Sequence, residues 1–327
     1  MRVQSLREAT AGPTWKRQFD RLWPGYRRWF LSEGHLARPG FVTSSSELER
    51  HMPELAPTYE RLCGLAGGGD VAARFLSLYR PPPYLAGCSQ VVWGGGARLI
   101  RNYDYSPATF DGVLLASTWV RPVIAMLDCV WGALDGINDA GLVASLAFGG
   151  RKVTGEGFGI PLLLRYVLET CDTTADAVSA LMRLPSHMSY SVTLLDRDGE
   201  HATVHLAPDR SADVTRSTVC TNHARAVEWP DYAALTKSVE RQAFLEASVL
   251  PLPSLDAAVD AFLRPPLHAT KYRRGFGTLY TAIYDPHARS VSLRWPRGLR
   301  LVASHDAFEP REVVVDLRAA PAISLVQ

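Results

Sequence analysis

Three consecutive prolines, Pro81-Pro82-Pro83, stand between two parts of the chain that obey different periodicities. Proline fixes φ and offers no backbone donor, so no helix crosses that point and the chain must approach Gly87-Cys88 extended. Upstream the apolar residues keep helical spacing. Trp23, Tyr26, Trp29 and Phe30 fall at i, i+3, i+6 and i+7, and a second helical pattern runs from Leu48 to Leu65 and stops at Gly67-Gly68-Gly69. Residues 1–80 are therefore expected to be mostly helical, with the aromatic stripe as a core face. Downstream come short β-rich runs: Ser89 to Trp93, Arg98 to Tyr105, Val113 to Thr118, Pro122 to Leu127, Trp131 to Ile137 and Leu142 to Phe148, separated by turns such as Gly94-Gly95-Gly96.

Helices are predicted at Ile160 to Glu169 and Thr174 to Leu184. The second is opened by Asp172-Thr173-Thr174 and shows Ala175, Val178, Leu181 and Met182 on one face. Strands resume at Tyr190 to Asp196, Ala202 to Leu206 and Thr215 to Thr221. Helices at about Ser238 to Val249 and Ser254 to Leu263 precede a hairpin of Gly277 to Asp285 with Ser290 to Trp295. Blocks of strands alternating with pairs of helices disfavour a doubly wound parallel sheet. The expected class is α+β, a four-layer αββα sandwich of two mainly antiparallel sheets. No repeat, low-complexity tract or linker divides the 327 residues.

Composition excludes more than it proves. The formal net charge is +2 and no basic block with interleaved aromatics occurs, so nucleic acid is not an expected partner. The start, MRVQSLREATAGPTWKRQFD, lacks the apolar stretch of a signal peptide, and no run nears the roughly 18 to 20 apolar residues that span a bilayer. The expectation is a soluble, cytoplasmic protein with no membrane partner. Cys63, Cys88, Cys129, Cys171 and Cys220 are odd in number and free of C-x-x-C spacing, and the nine histidines show no ligand spacing, so neither disulfides nor metal is expected. Serine-elbow, zincin, P-loop and Rossmann motifs are absent.

What remains is Gly87-Cys88-Ser89 at the junction. On the next strand, Arg101-Asn102-Tyr103-Asp104-Tyr105, alternation sends Arg101, Tyr103 and Tyr105 to one face and Asn102 and Asp104 to the other. Gly136-Ile137-Asn138-Asp139-Ala140-Gly141-Leu142 is a glycine-bracketed turn exposing Asn138, and Thr221-Asn222-His223 closes a strand with a second amide. Each has a plain reading beside it: inert packing for Cys88, an ordinary ion pair for Arg101 with Asp104, a left-handed turn residue for Asn138, a structural hydrogen bond for His223.

Taken in order, these pieces resemble the penicillin acyltransferase and choloylglycine hydrolase branch of the N-terminal-nucleophile superfamily. Its pattern is a Gly-Cys or exposed Cys, an R-N-x-D strand, a G-x-N-x-x-G-L turn, a T-N-H strand end, an S-x-x-R helix and a T-L-Y-[ST]-x-x-Y-D-P hairpin. The last two stand here as Ser238-Val239-Glu240-Arg241 and Thr278-Leu279-Tyr280-Thr281-Ala282-Ile283-Tyr284-Asp285-Pro286. The long leader is similar to that of the acyltransferase side, where it stays bound as a small subunit after cleavage. The resemblance thus implies a leader of residues 1–87 and a catalytic chain of residues 88–327.

The implied chemistry is self-cleavage between Gly87 and Cys88, followed by attack of Cys88 on acyl carbonyls. The new α-amino group, with an ordinary pKa of about 8, acts as its base. Arg101 would favour the thiolate and Asp104 would hold the amine. Asn222 and Asn138 would donate to the oxyanion, and Arg241 is carried over with no role of its own. Trp93, Tyr103, Trp119, Trp131 and Phe148 are candidates for an apolar acyl pocket, plain core being the alternative. The expected substrate is a small N-acyl or peptide-like amide, with no cofactor. Alternatives are acyl transfer from a coenzyme A thioester to an amine in secondary metabolism, a non-catalytic scaffold that never cleaves, and an internal Cys-His hydrolase using His223. A homo-oligomer is compatible with all of them.

Overall fold

The computed structural model describes residues 1–317. In chain order the elements are β1 (Arg2–Glu8), α1 (Pro13–Phe30), α2 (Phe41–His51), α3 (Ala56–Leu65), α4 (Asp70–Leu76), β2 (Gly87–Trp93), β3 (Arg98–Tyr105), β4 (Val113–Thr118), β5 (Pro122–Asp128), β6 (Gly132–Asn138) and β7 (Val143–Phe148). There follow α5 (Ile160–Thr170), α6 (Thr174–Arg183), β8 (Tyr190–Leu195), β9 (His201–Ala207), β10 (Arg210–Thr215), β11 (Val219–Cys220), α7 (Pro230–Thr236), α8 (Ser238–Phe244) and a π turn, Leu245–Val249. The chain then closes with α9 (Leu255–Phe262), β12 (Gly277–Asp285), β13 (Ser290–Arg294), β14 (Arg300–Ser304) and β15 (Arg311–Val314).

The strands form two sheets. One has nine strands in the order β10-β9-β8-β7-β6-β5-β4-β1-β15, the other six in the order β11-β2-β3-β12-β13-β14. Every pairing among them is antiparallel except β1 with β4. Helix α5 is buried from Ile160 to Glu169 against the outer face of the larger sheet. Glycine at 136 permits that approach, since a Cβ there would lie 2.7 Å from Leu168. The outer face of the smaller sheet, Val91, Ile100, Val219 and Ile283, packs on Leu245, Val249 and Phe262 of the helical layer beneath it. The sheets meet face to face through the main core. The layering is therefore αββα.

The sequence reading needs three corrections and lacks one strand of the leader. That strand, β1, enters the larger sheet between β4 and β15. Its inward positions are Val3 and Ser5, and the Ser5 hydroxyl is satisfied by the Glu309 carbonyl at 2.9 Å, so the strand carries only a weak apolar signal. The helix expected from Leu48 to Leu65 is broken at Met52-Pro53 into α2 and α3. In α6 the buried stripe is Thr174, Ala177, Ala180 and Leu181, while Ala175 is exposed and Met182 points out. The N-terminal capping box of Thr173 with Asp176 fixes where the helix starts and hence its phase. The strand expected from Thr215 to Thr221 divides into β10 and β11, and α7, β14 and β15 are additional. Among the described residues no helix is long and apolar enough to cross a membrane.

Candidate active site

Strand β2 begins at Gly87 and runs antiparallel to β3 with Gly87 opposite Asp104 and Cys88 opposite Tyr103. Paired residues share a face, so Cys88 lies with Arg101 and Tyr103 on the side turned to the larger sheet, and Asp104 lies on the other. Gly87 is fixed by packing: a Cβ there would come within 2.6 Å of Phe276 and 3.0 Å of the Asp104 Cβ. Any side chain at the residue whose carbonyl precedes the thiol would have to displace the Phe276 ring.

Cys88 is fully buried, and the Arg101 Nη2 donates to its sulfur at 3.4 Å. Arg101 is in turn held by the Asp135 carboxylate at 2.5 Å and the Leu134 carbonyl at 2.9 Å. Asp135 also accepts hydrogen bonds from the Tyr280 and Tyr284 hydroxyls. All of these residues are entirely enclosed. The two tyrosines of the T-L-Y-T-A-I-Y-D-P hairpin thus clamp a carboxylate that aims an arginine at the thiol. Burial pushes the thiol up to about 11, the Arg101 and Arg241 charges pulling it down and Asp104 pushing it further up. Burial also raises Asp104, to about 6, against the pull of Arg241, of a 2.6 Å hydrogen bond from Thr278 and of Arg101.

Asn222 is the hub on the other side. Its Oδ1 accepts the Cys88 backbone N–H at 2.9 Å and Arg241 Nη2 at 2.7 Å, while its Nδ2 donates to the carbonyls of Ala86 at 3.1 Å and Phe148 at 3.2 Å. The Tyr232 hydroxyl donates to the same Ala86 carbonyl at 2.8 Å. Arg241 also donates to the Cys88 carbonyl, and to the Ser89 hydroxyl at 2.7 Å. Behind Asn222, Ser238 Oγ accepts its backbone N–H at 2.9 Å and shares a 2.7 Å hydrogen bond with His223 Nδ1. His223 therefore bonds the support of Asn222, not the sulfur.

The structure brings Cys88, Arg101, Asp104, Asn222 and Arg241 together. It does not bring Asn138 to them. The Asn138 side chain donates to the Leu168 and Cys171 carbonyls at 3.1 and 2.7 Å and accepts from the Ala140 and Leu142 amides, so its capacity is spent tying its turn to the end of α5. It stands at the far end of β7 from Phe148, roughly 17 Å along the strand. The five candidate aromatics also separate. Tyr103 faces Cys88, and Phe148 lies 5.0 Å from the Tyr232 ring beside Asn222. Trp93 packs toward the helical layer, while Trp119 and Trp131 lie tilted against each other 6.4 Å apart, with Arg165 of α5 over Trp119. Asp135, Tyr232 and Phe276 went unrecognised in the sequence; the Tyr280 and Tyr284 spacing was visible there, but not its target. Among the described residues no group of three or more His, Cys, Asp or Glu could hold a metal ion.

A buried cysteine near the start of a strand, an arginine on its sulfur and an αββα frame are the attributes of the N-terminal-nucleophile hydrolases. Within that class the chain belongs to the acyl-coenzyme A:6-aminopenicillanic acid acyl-transferase family, whose model matches residues 93–300. It is thus homologous to acyl-amide hydrolases and acyltransferases. The matched span starts beyond Cys88 and does not bear on the nucleophile. Among curated proteins none matches this sequence significantly. Solved structures that resemble it include a conjugated bile acid hydrolase from Clostridium perfringens, with 10% identity and TM-score 0.42, covering 74% of this chain and 100% of that one. Others are a penicillin V acylase from Agrobacterium tumefaciens, with 13% identity and TM-score 0.42 over 69% and 90%, and an N-acylethanolamine-hydrolyzing acid amidase ortholog from Caenorhabditis elegans, with 13% and 0.40 over 61% and 93%. At that distance they assign no residue a role.

Proposed function

We propose that this chain is a self-activating cysteine hydrolase that cleaves its own Gly87–Cys88 bond and then hydrolyses a small N-acyl or peptide-like amide through an acyl-thioester on Cys88. In the first step the thiolate adds to the Gly87 carbonyl, the C–N bond breaks, and the Cys88 nitrogen takes up a proton as a free amine. Water then opens the thioester, leaving a Gly87 carboxylate and the thiol. In turnover the amine accepts the thiol proton and passes it to the leaving amine of the substrate. Acyl transfer from a coenzyme A thioester to an amine uses the same thioester and differs only in what accepts the acyl group.

The observation that carries this reading is the occupancy of Asn222. In the continuous chain its Nδ2 and the Tyr232 hydroxyl are both spent on the Ala86 carbonyl. Once residues 86 and 87 withdraw, the same two donors face the space where a substrate oxyanion would form. The leader would remain as a small subunit, because β1 is paired on both edges and Met1 and Val315 exchange two hydrogen bonds, at 2.9 and 2.8 Å.

Denaturing electrophoresis with N-terminal sequencing tests the proposal. The natural chain should yield a fragment beginning Cys-Ser-Gln-Val that separates from its leader only in denaturant, and Cys88→Ala should leave one 36.0 kDa chain. A chain that stays whole and never acylates Cys88 would instead be a scaffold. A whole chain that turns over, and loses turnover in His223→Ala, would be an internal Cys-His enzyme.

A further inference from the structure

A cavity of about 250 Å³ opens beside the nucleophile's strand pair, lined by none of the residues at the thiol. Its wall is aromatic: Tyr26 and Trp29 from α1, Tyr84 from the approach to Gly87, and Tyr105 and Phe110 from the end of β3 and the loop beyond. The leader and the chain after Cys88 each supply part of it, so it is complete only while the two stay together. Tyr103, opposite Cys88, connects it to the site, its ring 5.8 Å from that of Tyr105 and 6.3 Å from that of Phe110.

The floor is acidic. Asp111 and Asp128 both line it, and they are only 3% and 9% exposed. The Tyr26 hydroxyl lies 2.6 Å from Asp111 Oδ1 and 3.1 Å from Asp128 Oδ1, and accepts the Cys129 N–H at 2.9 Å. A phenol has one proton to give, so it serves one carboxylate at a time. The other Asp111 oxygen accepts the Val130 amide at 3.0 Å. Neither carboxylate forms an ion pair with any described residue: Arg21 bonds the Asp111 backbone carbonyl at 2.9 Å, and Arg28 stands exposed at the mouth. Burial raises Asp111 to about 7, helped by the Asp128 charge, and Asp128 to about 6.

Two buried carboxylates with no ion-pair partner among the described residues, walled by five rings, are complementary to an organic cation, whose charge the acids and the negative ring faces both attract. An anion would be repelled, and a purely apolar group would leave the acids uncompensated. We propose that this cavity binds the ammonium group of the substrate, which makes the substrate an acyl amide that carries a basic amine. The substrate assignment rests on the amide chemistry proposed above; the binding site does not.

The test uses the Cys88→Ala chain, which stays continuous and turns nothing over, so its result is independent of cleavage and catalysis. It is titrated calorimetrically with 2-phenylethylammonium, neutral 2-phenylethanol and anionic phenylacetate. The ammonium should bind at least about tenfold more tightly than the alcohol, and Asp128→Asn should remove about that factor for the ammonium alone. Its affinity should also rise from about pH 5 to about pH 8 as Asp111 and Asp128 ionise. Burial keeps Tyr26, Tyr84, Tyr105 and Cys129 neutral in that range; the other charged groups near the floor are Arg21 and Arg28. Absence of ammonium binding, equal affinity for the alcohol, or preference for phenylacetate overturns the proposal. If Asp128→Asn fails to fold, a pH-independent ammonium affinity in the unsubstituted floor overturns it equally.

Discussion

Two of the places where charge is buried, under the thiol and under the cavity, are built differently. Under the thiol, Asp135 is met by Arg101 and two tyrosine hydroxyls, so acid and base are closed on each other. Under the cavity, Asp111 and Asp128 share one phenol and form no ion pair among the described residues, Arg21 reaching only the Asp111 backbone carbonyl. A matched buried pair is rigid and holds a reacting atom in place, whereas an unmatched one carries a desolvation cost that a ligand can relieve. The first region suits chemistry and the second suits recognition. The loop joining β5 to β6 beneath the cavity fits that contrast, since Cys129 and Val130 adopt φ of 53° and 65°, a strained region for a β-branched residue.

The contrast can be sharpened, beginning with kinetics. With the thiol held up to about 11, attacking thiolate is scarce at neutral pH and grows about tenfold per pH unit. The fragment beginning Cys-Ser-Gln-Val should therefore appear about a thousandfold faster at about pH 9 than at about pH 6, as timed electrophoresis would register. A flat profile would mean that the thiolate does not limit cleavage. Next, Asp135→Ala strands Arg101 unpaired and should cost about 3 to 5 kcal/mol in denaturant unfolding, with cleavage lost as well. If the loss is under about 1 kcal/mol, the pair is not the closed unit described.

Asn222→Ala should slow acyl turnover about a hundredfold in steady-state assays of chains already cleaved, while Asn138→Ala should lower stability by about 1 to 3 kcal/mol and leave the turnover number unchanged. Equal kinetic losses would return Asn138 to the site. The smallest effect belongs to the cavity floor. Asp111 and Asp128 hold protons more tightly folded than unfolded, so the penalty for burying them is absent below about pH 4 and grows as pH rises through about 4 to 7. Asp111→Asn should therefore raise Tm by a few degrees at about pH 8 and not at about pH 4.

The sequence was most legible where one period ran unbroken. β3, β4 and β12 lie at the residues their alternation marked, and α5 differs by one residue at its end. β1 was hidden because Ser5 takes one of its inward positions, and β15 because it is a four-residue edge strand; the two pair with each other across almost the whole chain, Arg2 with Val314. In the site, residues near Cys88 along β2 and β3 could be ranked by register, and Asn222 and Arg241 by resemblance. Asn138 showed the limit: a glycine-bracketed asparagine reads the same whether it faces a substrate or ties down its own turn.

By itself the sequence determined the switch from helix to strand at the prolines and the face of β3 that carries Arg101, because each follows from backbone stereochemistry or period-2 alternation. Only the tertiary structure decided that Asp135 would clamp Arg101, that Asn222 would hold both the Cys88 amide and the Ala86 carbonyl, and that Asp111 and Asp128 would meet over Tyr26. Those contacts join residues 34 to 136 positions apart, and local propensity carries no information across such separations, which are closed only when two sheets and a helical leader pack together.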